Sequence, residues 1–168
     1  MSSKEPLVSI VMSNYNGELL IKQTIESVLA QTYHNWEFVI FDDCSTDRSR
    51  EIIQSFKDAR IKPFFADKHE HMVYGFNYGI THSSGELIAR IDSDDTWKPE
   101  KLQTQVDFFR DHPDYGACFT LVNFVDEHGK ILTEKDTERG LWWDIRNKTQ
   151  AEWLRYFYFY GCGVSHPT

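Results

Sequence analysis

Pro6-Leu-Val-Ser-Ile-Val-Met12, closed by Ser13-Asn-Tyr-Asn-Gly17 and followed by apolar residues at Leu20, Ile21, Ile25, Val28 and Leu29, is the stretch on which the fold turns. The first run is compact, apolar and of strand length, and the turn-forming residues after it end it. From Glu18 to Thr32 the apolar residues recur at the spacing of one helical face. A strand, a loop and a helix in that order are the opening unit of a parallel sheet.

The unit repeats. Glu37 to Phe41 reads as a second strand, Asp42 to Thr46 as a tight loop, and Asp47 to Phe56 as a second helix capped by Ser45 or Thr46. Ile61 to Ala66 is a third strand, Val73 to Ser83 a helix, Glu86 to Ile91 a strand, and Pro99 to Arg110 a helix with Pro near its first turn. Strict alternation predicts right-handed crossovers and an α/β fold, a three-layer α/β/α sandwich with a mostly parallel central sheet. Further on, Gly116 to Val125 reads as a strand, Asp126 to Gly129 as a turn and Lys130 to Thr133 as a short return. Thr149-Gln-Ala-Glu152 is a capping box ahead of a helix to about Tyr160.

Composition bounds the function. The 168 residues suffice for one substantial core, so a single domain over 1–168 is expected. A net charge of -8 argues against a nucleic-acid backbone as partner, since such binders displace counterions with clustered Lys and Arg. The longest apolar runs, Leu7 to Met12 and Ala117 to Val122, fall far short of the ~20 residues of a membrane-spanning helix. Met1-Ser-Ser-Lys-Glu-Pro6 has no secretory-signal pattern, so a cytoplasmic location is expected. Cys44, Cys118 and Cys162 are widely spaced and form no CxxC pair, which predicts reduced thiols rather than a disulfide framework or structural zinc.

In open parallel sheets ligands bind beyond the carboxyl ends of the strands. Three polar loops are expected there: Asn14-Tyr15-Asn16, Asp42-Asp43-Cys44-Ser45-Thr46-Asp47 and Asp92-Ser93-Asp94-Asp95. The last carries three carboxylates in four residues, which repel one another unless a cation or ordered donors neutralise them. Mg²⁺ or Mn²⁺, bridging Asp94 or Asp95 to a diphosphate, meets that need, because Mg²⁺ takes one or two carboxylates and completes its shell with phosphates and water. Neither GxxxxGK[ST] nor a GxGxxG after a strand is present, so a bound diphosphate would depend on the metal. The alternative, that Asp92 to Asp95 are acidic capping residues for the helix at Pro99, stays open on the residues alone.

The ordered set Val8-Ser-Ile-Val-Met-Ser-Asn-Tyr-Asn16, Ser27-Val-Leu-Ala-Gln-Thr-Tyr33, Phe41-Asp-Asp-Cys-Ser-Thr-Asp47, Ser84-Gly-Glu-Leu-Ile88 and Asp92-Ser-Asp-Asp95 resembles glycosyltransferase family 2, with the GT-A fold. The resemblance covers about residues 6 to 125 as a nucleotide-sugar-binding core, with 126–168 as the start of an acceptor-side region. It implies that Asp43 accepts the uracil imide N–H while Tyr15 packs on the base. It also implies that Asp94 contacts the ribose or the metal, that Asp95 coordinates the metal, and that Asp92 orients its neighbours. The implied reaction moves a sugar from a UDP-sugar to a hydroxyl on a glycan or lipid-linked acceptor, with inversion, as in polysaccharide or cell-wall synthesis. For Asp43 the competing role is a turn carboxylate, a role the residues favour for Asp42; for Tyr15 it is a core aromatic.

Several positions depart from the family pattern. No residue here matches the family's general base, so none is assigned, and the chain resembles a catalytic domain truncated at its C-terminus. Asp126, Glu127 and Asp136 read as solvated loop charges. Phe76 stands where many members carry an arginine for the diphosphate; Lys68, His69 and His71 read as a plain surface loop, with supply of that positive charge as the alternative. Cys44 replaces a commoner glycine, which predicts a turn without positive φ. The aromatic segment Trp142-Trp143 and Trp153 to Tyr160 reads as core, or as an acceptor platform, or, if exposed, as a surface for homodimerisation or membrane contact. Two further readings compete with the transferase: a non-catalytic nucleotide-sugar-binding module or inactive fragment lacking the catalytic base, and a metal-dependent nucleotidyltransferase or pyrophosphorylase, which would begin with a Gly-rich basic loop this sequence lacks.

Overall fold

The computed structural model describes residues 5–120, 122–126 and 129–132. The described chain divides into two compact units, the first ending at Cys118 and the second beginning at Phe119.

In the first unit the order is β1 (Val8–Asn14), α1 (Ile21–Leu29), β2 (Trp36–Asp42), α2 (Ser49–Ser55), β3 (Ile61–Phe65), α3 (Met72–Thr81), β4 (Leu87–Arg90) and α4 (Lys101–Asp111). All pairings are parallel and the sheet order is β3-β2-β1-β4. The alternation read from the sequence is therefore the observed architecture.

Period-two alternation decides what each strand presents to each face. Val8, Ile10 and Met12 of β1, with Trp36, Phe38 and Ile40 of β2, join Ile21, Ile25 and Val28 of α1 and Leu102 and Val106 of α4 in one buried cluster. Truncating a fully buried member such as Phe38 to Ala would cost about 3–5 kcal/mol. The intervening residues meet α3, whose glycines allow close approach: a Cβ on Gly75 would lie 2.3 Å from Ser13 Oγ, and one on Gly79 would lie 3.1 Å from Val11. Helices thus cover both faces of the sheet.

Two of the sequence motifs prove to be fasteners. Gln31, 1% exposed, donates to the Lys98 carbonyl and accepts from Leu102 N–H, while Ser27 Oγ accepts from Trp97 N–H, so the end of α1 seats the segment leading into α4. Glu37 is buried at the start of β2 and accepts from Ser9 Oγ at 2.6 Å, from Ser84 N–H at 2.6 Å and from Lys62. Gly85 N–H donates to Ser9 Oγ at 2.8 Å, and a Cβ at Gly85 would stand 2.6 Å from the Leu7 carbonyl oxygen. Ser84-Gly85 therefore locks β4 to β1 and β2 at the end of the sheet away from the polar loops.

Some expectations need correction. Neither Ser45 nor Thr46 caps α2; its first residue follows Arg48, and Ser45 is instead committed to Asp42. The turn at Cys44 does adopt positive φ, +61°. The described residues of 116–125 do not form a strand: among them Val125 alone pairs, in an antiparallel bridge with Ile131. An apolar run becomes a strand only against a partner edge, and Phe119 and Val125 remain exposed. Of the expected turn and return, the described residues show Gly129 N–H bonded to the Asp126 carbonyl and Leu132 N–H to the Phe124 carbonyl. The capping box at Thr149, the aromatic segment, Glu127, Asp136 and Cys162 lie outside the described residues.

Candidate nucleotide and metal site

The strand order places β2 and β3 on one side of β1 and β4 on the other, so the chain reverses direction across the sheet between β1 and β4. Loops leaving the carboxyl ends of adjacent strands diverge at such a switch point and open a crevice. A cavity of about 540 Å³ lies there, lined among others by Tyr15, Asp43, His69, His71, Asp92 and Asp94.

The first two loops are sewn together. Asn14 Nδ2 donates to Asp42 Oδ2 at 2.9 Å, Asn16 N–H to Ser45 Oγ at 2.9 Å, and Thr46 N–H to Asn16 Oδ1 at 2.9 Å. Gly17 N–H reaches Ser49 Oγ, and Glu18 N–H reaches Asp47 Oδ2. Asp42 is fully buried and also accepts from Ser45 N–H and Oγ and from Arg50 Nε at 2.7 Å. It is the turn carboxylate the sequence indicated, with its lone pairs consumed by the scaffold.

Asp43 differs. It is 1% exposed, its backbone N–H is tied to the Asn14 carbonyl, and its Oδ1 accepts from Glu70 N–H at 2.6 Å. His69 Nδ1 lies 2.8 Å from Oδ2. That contact balances charge when the imidazole is protonated, but it is misaligned for a hydrogen bond, and Oδ2 is left buried without a hydrogen-bonding partner. A buried acceptor with an unfilled lone pair costs about 1–3 kcal/mol, a cost that a ligand N–H removes. Tyr15 is 50% exposed at the cavity rim and is not a core aromatic. Its ring lies 4.4 Å from that of His69.

Across the crevice, Asp92 to Asp95 form a turn closed by Asp95 N–H to the Asp92 carbonyl, and Thr24 Oγ1 of α1 holds the Ser93 carbonyl at 2.9 Å. This turn does not cap α4, whose N-cap is Glu100 and which has no side-chain cap. Asp92 is paired with Arg90 at 3.0 Å, and the Arg90 guanidinium rests 4.1 Å above the Phe76 ring. Phe76 thus supports a cation supplied by β4. Asp94 is exposed, Asp95 is half-buried, and among the described residues neither carboxylate receives a hydrogen bond or an ion pair. Burial, then Asp94, then Asp92 push the Asp95 carboxyl up to about 6. Among the described residues no three His, Cys, Asp or Glu side chains converge on one point. The arrangement fits a hard cation that takes one or two carboxylates and draws its remaining ligands from phosphate and water.

The sequence singled out Tyr15, Asp43, Asp94 and Asp95; the first three line one cavity, and Asp95 adjoins it. It missed the part of His69, read as plain surface loop. A His two residues beyond Asp67 carries no local mark of contact with a carboxylate 26 positions earlier.

Residues 9–166 match the profile of Glycosyl transferase family 2. The chain is 37% identical over 110 residues to the putative teichuronic acid biosynthesis glycosyltransferase TuaG of Bacillus subtilis, covering 64% of this chain and 44% of that protein. It is 42% identical over 100 residues to the Escherichia coli UDP-Glc:alpha-D-GlcNAc-diphosphoundecaprenol beta-1,3-glucosyltransferase WfgD, covering 60% of this chain and 40% of that protein. Among solved structures, S. aureus TarS 1-349 in complex with UDP-GlcNAc superposes with a TM-score of 0.61 at 25% identity, over 63% of this chain and 32% of that one. The chain spans less than half the length of these relatives.

Proposed function

This chain belongs to glycosyl transferase family 2, and on that footing we propose that it forms the nucleotide-sugar side of a transferase that moves a sugar from a UDP-sugar to an acceptor hydroxyl with inversion. The carrying observation is Asp43: a carboxylate buried in the wall of the crevice, fixed through one oxygen and short of a hydrogen-bond donor on the other. A uracil imide N–H supplies that donor, and Tyr15 offers the base a half-exposed ring beside it.

Asp94 and Asp95 would hold Mn²⁺ or Mg²⁺ there, with Asp94 also within the wall that a ribose would meet. Their unpaired, mutually repelling charges favour this role. When bound, the cation neutralises charge developing on the departing diphosphate. Asp92, held by Arg90, keeps the turn in place, and Thr24 fixes the same turn from α1. In a single displacement the sugar–phosphate bond breaks as the acceptor oxygen attacks from the opposite face, and the acceptor proton passes to a base outside the residues assigned here. WfgD, by its name, glucosylates a diphosphoundecaprenol-linked sugar, which supports a lipid-linked or glycan acceptor for this chain.

The test is calorimetric titration of UDP with Mn²⁺ and again with EDTA, on the wild-type chain, Tyr15→Ala, Asp43→Asn and Asp95→Ala. We expect metal-dependent binding, weakened about tenfold by Tyr15→Ala or Asp43→Asn, the scale of one stacking contact or one charged hydrogen bond. Asp95→Ala should abolish the metal dependence. UDP binding that ignores both Asp43 and metal would defeat the assignment, and binding without sugar transfer to any acceptor would make the chain a non-catalytic module.

A further inference from the structure

We infer that the imidazole of His69 is a built-in occupant of the base subsite, closing it in the ligand-free chain and leaving it when a nucleotide enters. The inference rests on the reading of Tyr15 and Asp43 as the groups that receive the base. Both are already engaged by this one side chain: its ring lies 4.4 Å from the Tyr15 ring at 41°, and its Nδ1 lies 2.8 Å from Asp43 Oδ2. Imidazole is a flat aromatic ring with an in-plane N–H, and so presents to an aromatic ring and a carboxylate the two features that a pyrimidine imide presents.

The fit is imperfect in a way that favours exchange. Nδ1 points off the hydrogen-bond line, so Oδ2 stays unsatisfied, whereas a base free to choose its pose can align its N–H. The imidazole is 41% exposed and has solvent to swing into.

The loop around His69 is anchored to the same carboxylate. Glu70 N–H donates to Asp43 Oδ1 at 2.6 Å, and the His71 ring stands edge-on 4.5 Å from that of His69. His71 itself has φ 69° and ψ 158°, a backbone region that essentially only glycine adopts without strain.

The experiment compares wild type and His69→Ala in UDP titrations with Mn²⁺, alongside Tyr15→Ala and Asp43→Asn, using the full chain. If the subsite is open in only ~10–20% of ligand-free molecules, removing the occupant tightens apparent UDP affinity about five- to tenfold. In parallel, the His69 Cε1–Hε1 resonance of the wild-type chain should shift on saturation with UDP, as the ring leaves the Tyr15 face. Tighter binding by His69→Ala together with that shift establishes the inference. Unchanged or weaker binding by His69→Ala overturns it, and so does a His69 resonance that UDP does not move, even where the variant fails to fold. If Tyr15→Ala and Asp43→Asn also leave UDP affinity untouched, the base subsite itself is misassigned; if they weaken binding while His69→Ala does not tighten it, only the occupant role fails.

Discussion

Asp95 carries a penalty that the rest of the fold tolerates. Burial and the neighbouring Asp94 and Asp92 charges raise its carboxyl to about 6, so in the cation-free chain its ionised form is disfavoured relative to the unfolded state. Asp95→Asn removes a charge without changing shape. We expect it to raise the melting temperature of the EDTA-treated protein at neutral pH, by a stability gain on the order of 2 kcal/mol, while it loses metal-dependent UDP binding. A lower melting temperature in EDTA would mean that the carboxylate has a structural partner. Cys44 presents a milder strain: its φ of +61° costs an L-residue about 1–2 kcal/mol, against roughly 0.5–1 kcal/mol for the extra chain entropy of glycine. Cys44→Gly should therefore leave stability unchanged or raise it by up to about 1 kcal/mol in urea unfolding.

Among the elements, the clamp that binds β1, β2 and β4 through Glu37 sets how the sheet responds to acid. Burial raises the Glu37 carboxyl, but hydrogen bonds from Lys62, Ser9 and the Ser84 backbone outweigh it, and the net shift is downward. A carboxyl with a depressed folded-state pKa contributes stability above its unfolded value, and loses it as pH falls through the lower folded value. Wild type should thus lose melting temperature steeply below about pH 4, and Glu37→Gln, less stable at pH 7, should lose less over the same range. Parallel acid profiles for the two proteins would remove Glu37 from this role. Gly85→Ala tests the other half of the clamp. Its Cβ would meet backbone, Leu7 O at 2.6 Å and Ser9 N at 2.7 Å, which cannot rotate aside. A loss of about 1–3 kcal/mol in chemical unfolding is expected, with β4 the element displaced.

For the molecule as a whole, the described site is built entirely within the first unit, from loops after β1, β2 and β4. UDP with Mn²⁺ at about 100 times its dissociation constant should stabilise this unit by about 2.7 kcal/mol, read as a rise in melting temperature that Asp95→Asn fails to show. No described helix is long and apolar enough to cross a membrane.

Much of this was legible one residue at a time. Strand-length apolar runs, helical spacing and turn-forming residues are local properties, and they placed each of the eight elements of the first unit within a few residues of its observed bounds. Asp42, Asp43 and Asp92 to Asp95 stood out for the same reason, as charge concentrated just past a strand. The run from Gly116 to Val125 misled because an apolar, β-branched sequence states a preference for strand without supplying an edge to pair with. Other matters depend on which loops the crossovers bring together. That Asp42 is spent on Arg50 and Ser45 while Asp43 keeps a free lone pair, that Ser27 and Gln31 are fasteners and not site residues, and that His69 lies against Tyr15 and Asp43 are facts of contact between residues distant in sequence. Local periodicity carries no record of such contacts; they exist only once the sheet has its order and the switch between β1 and β4 has opened the crevice.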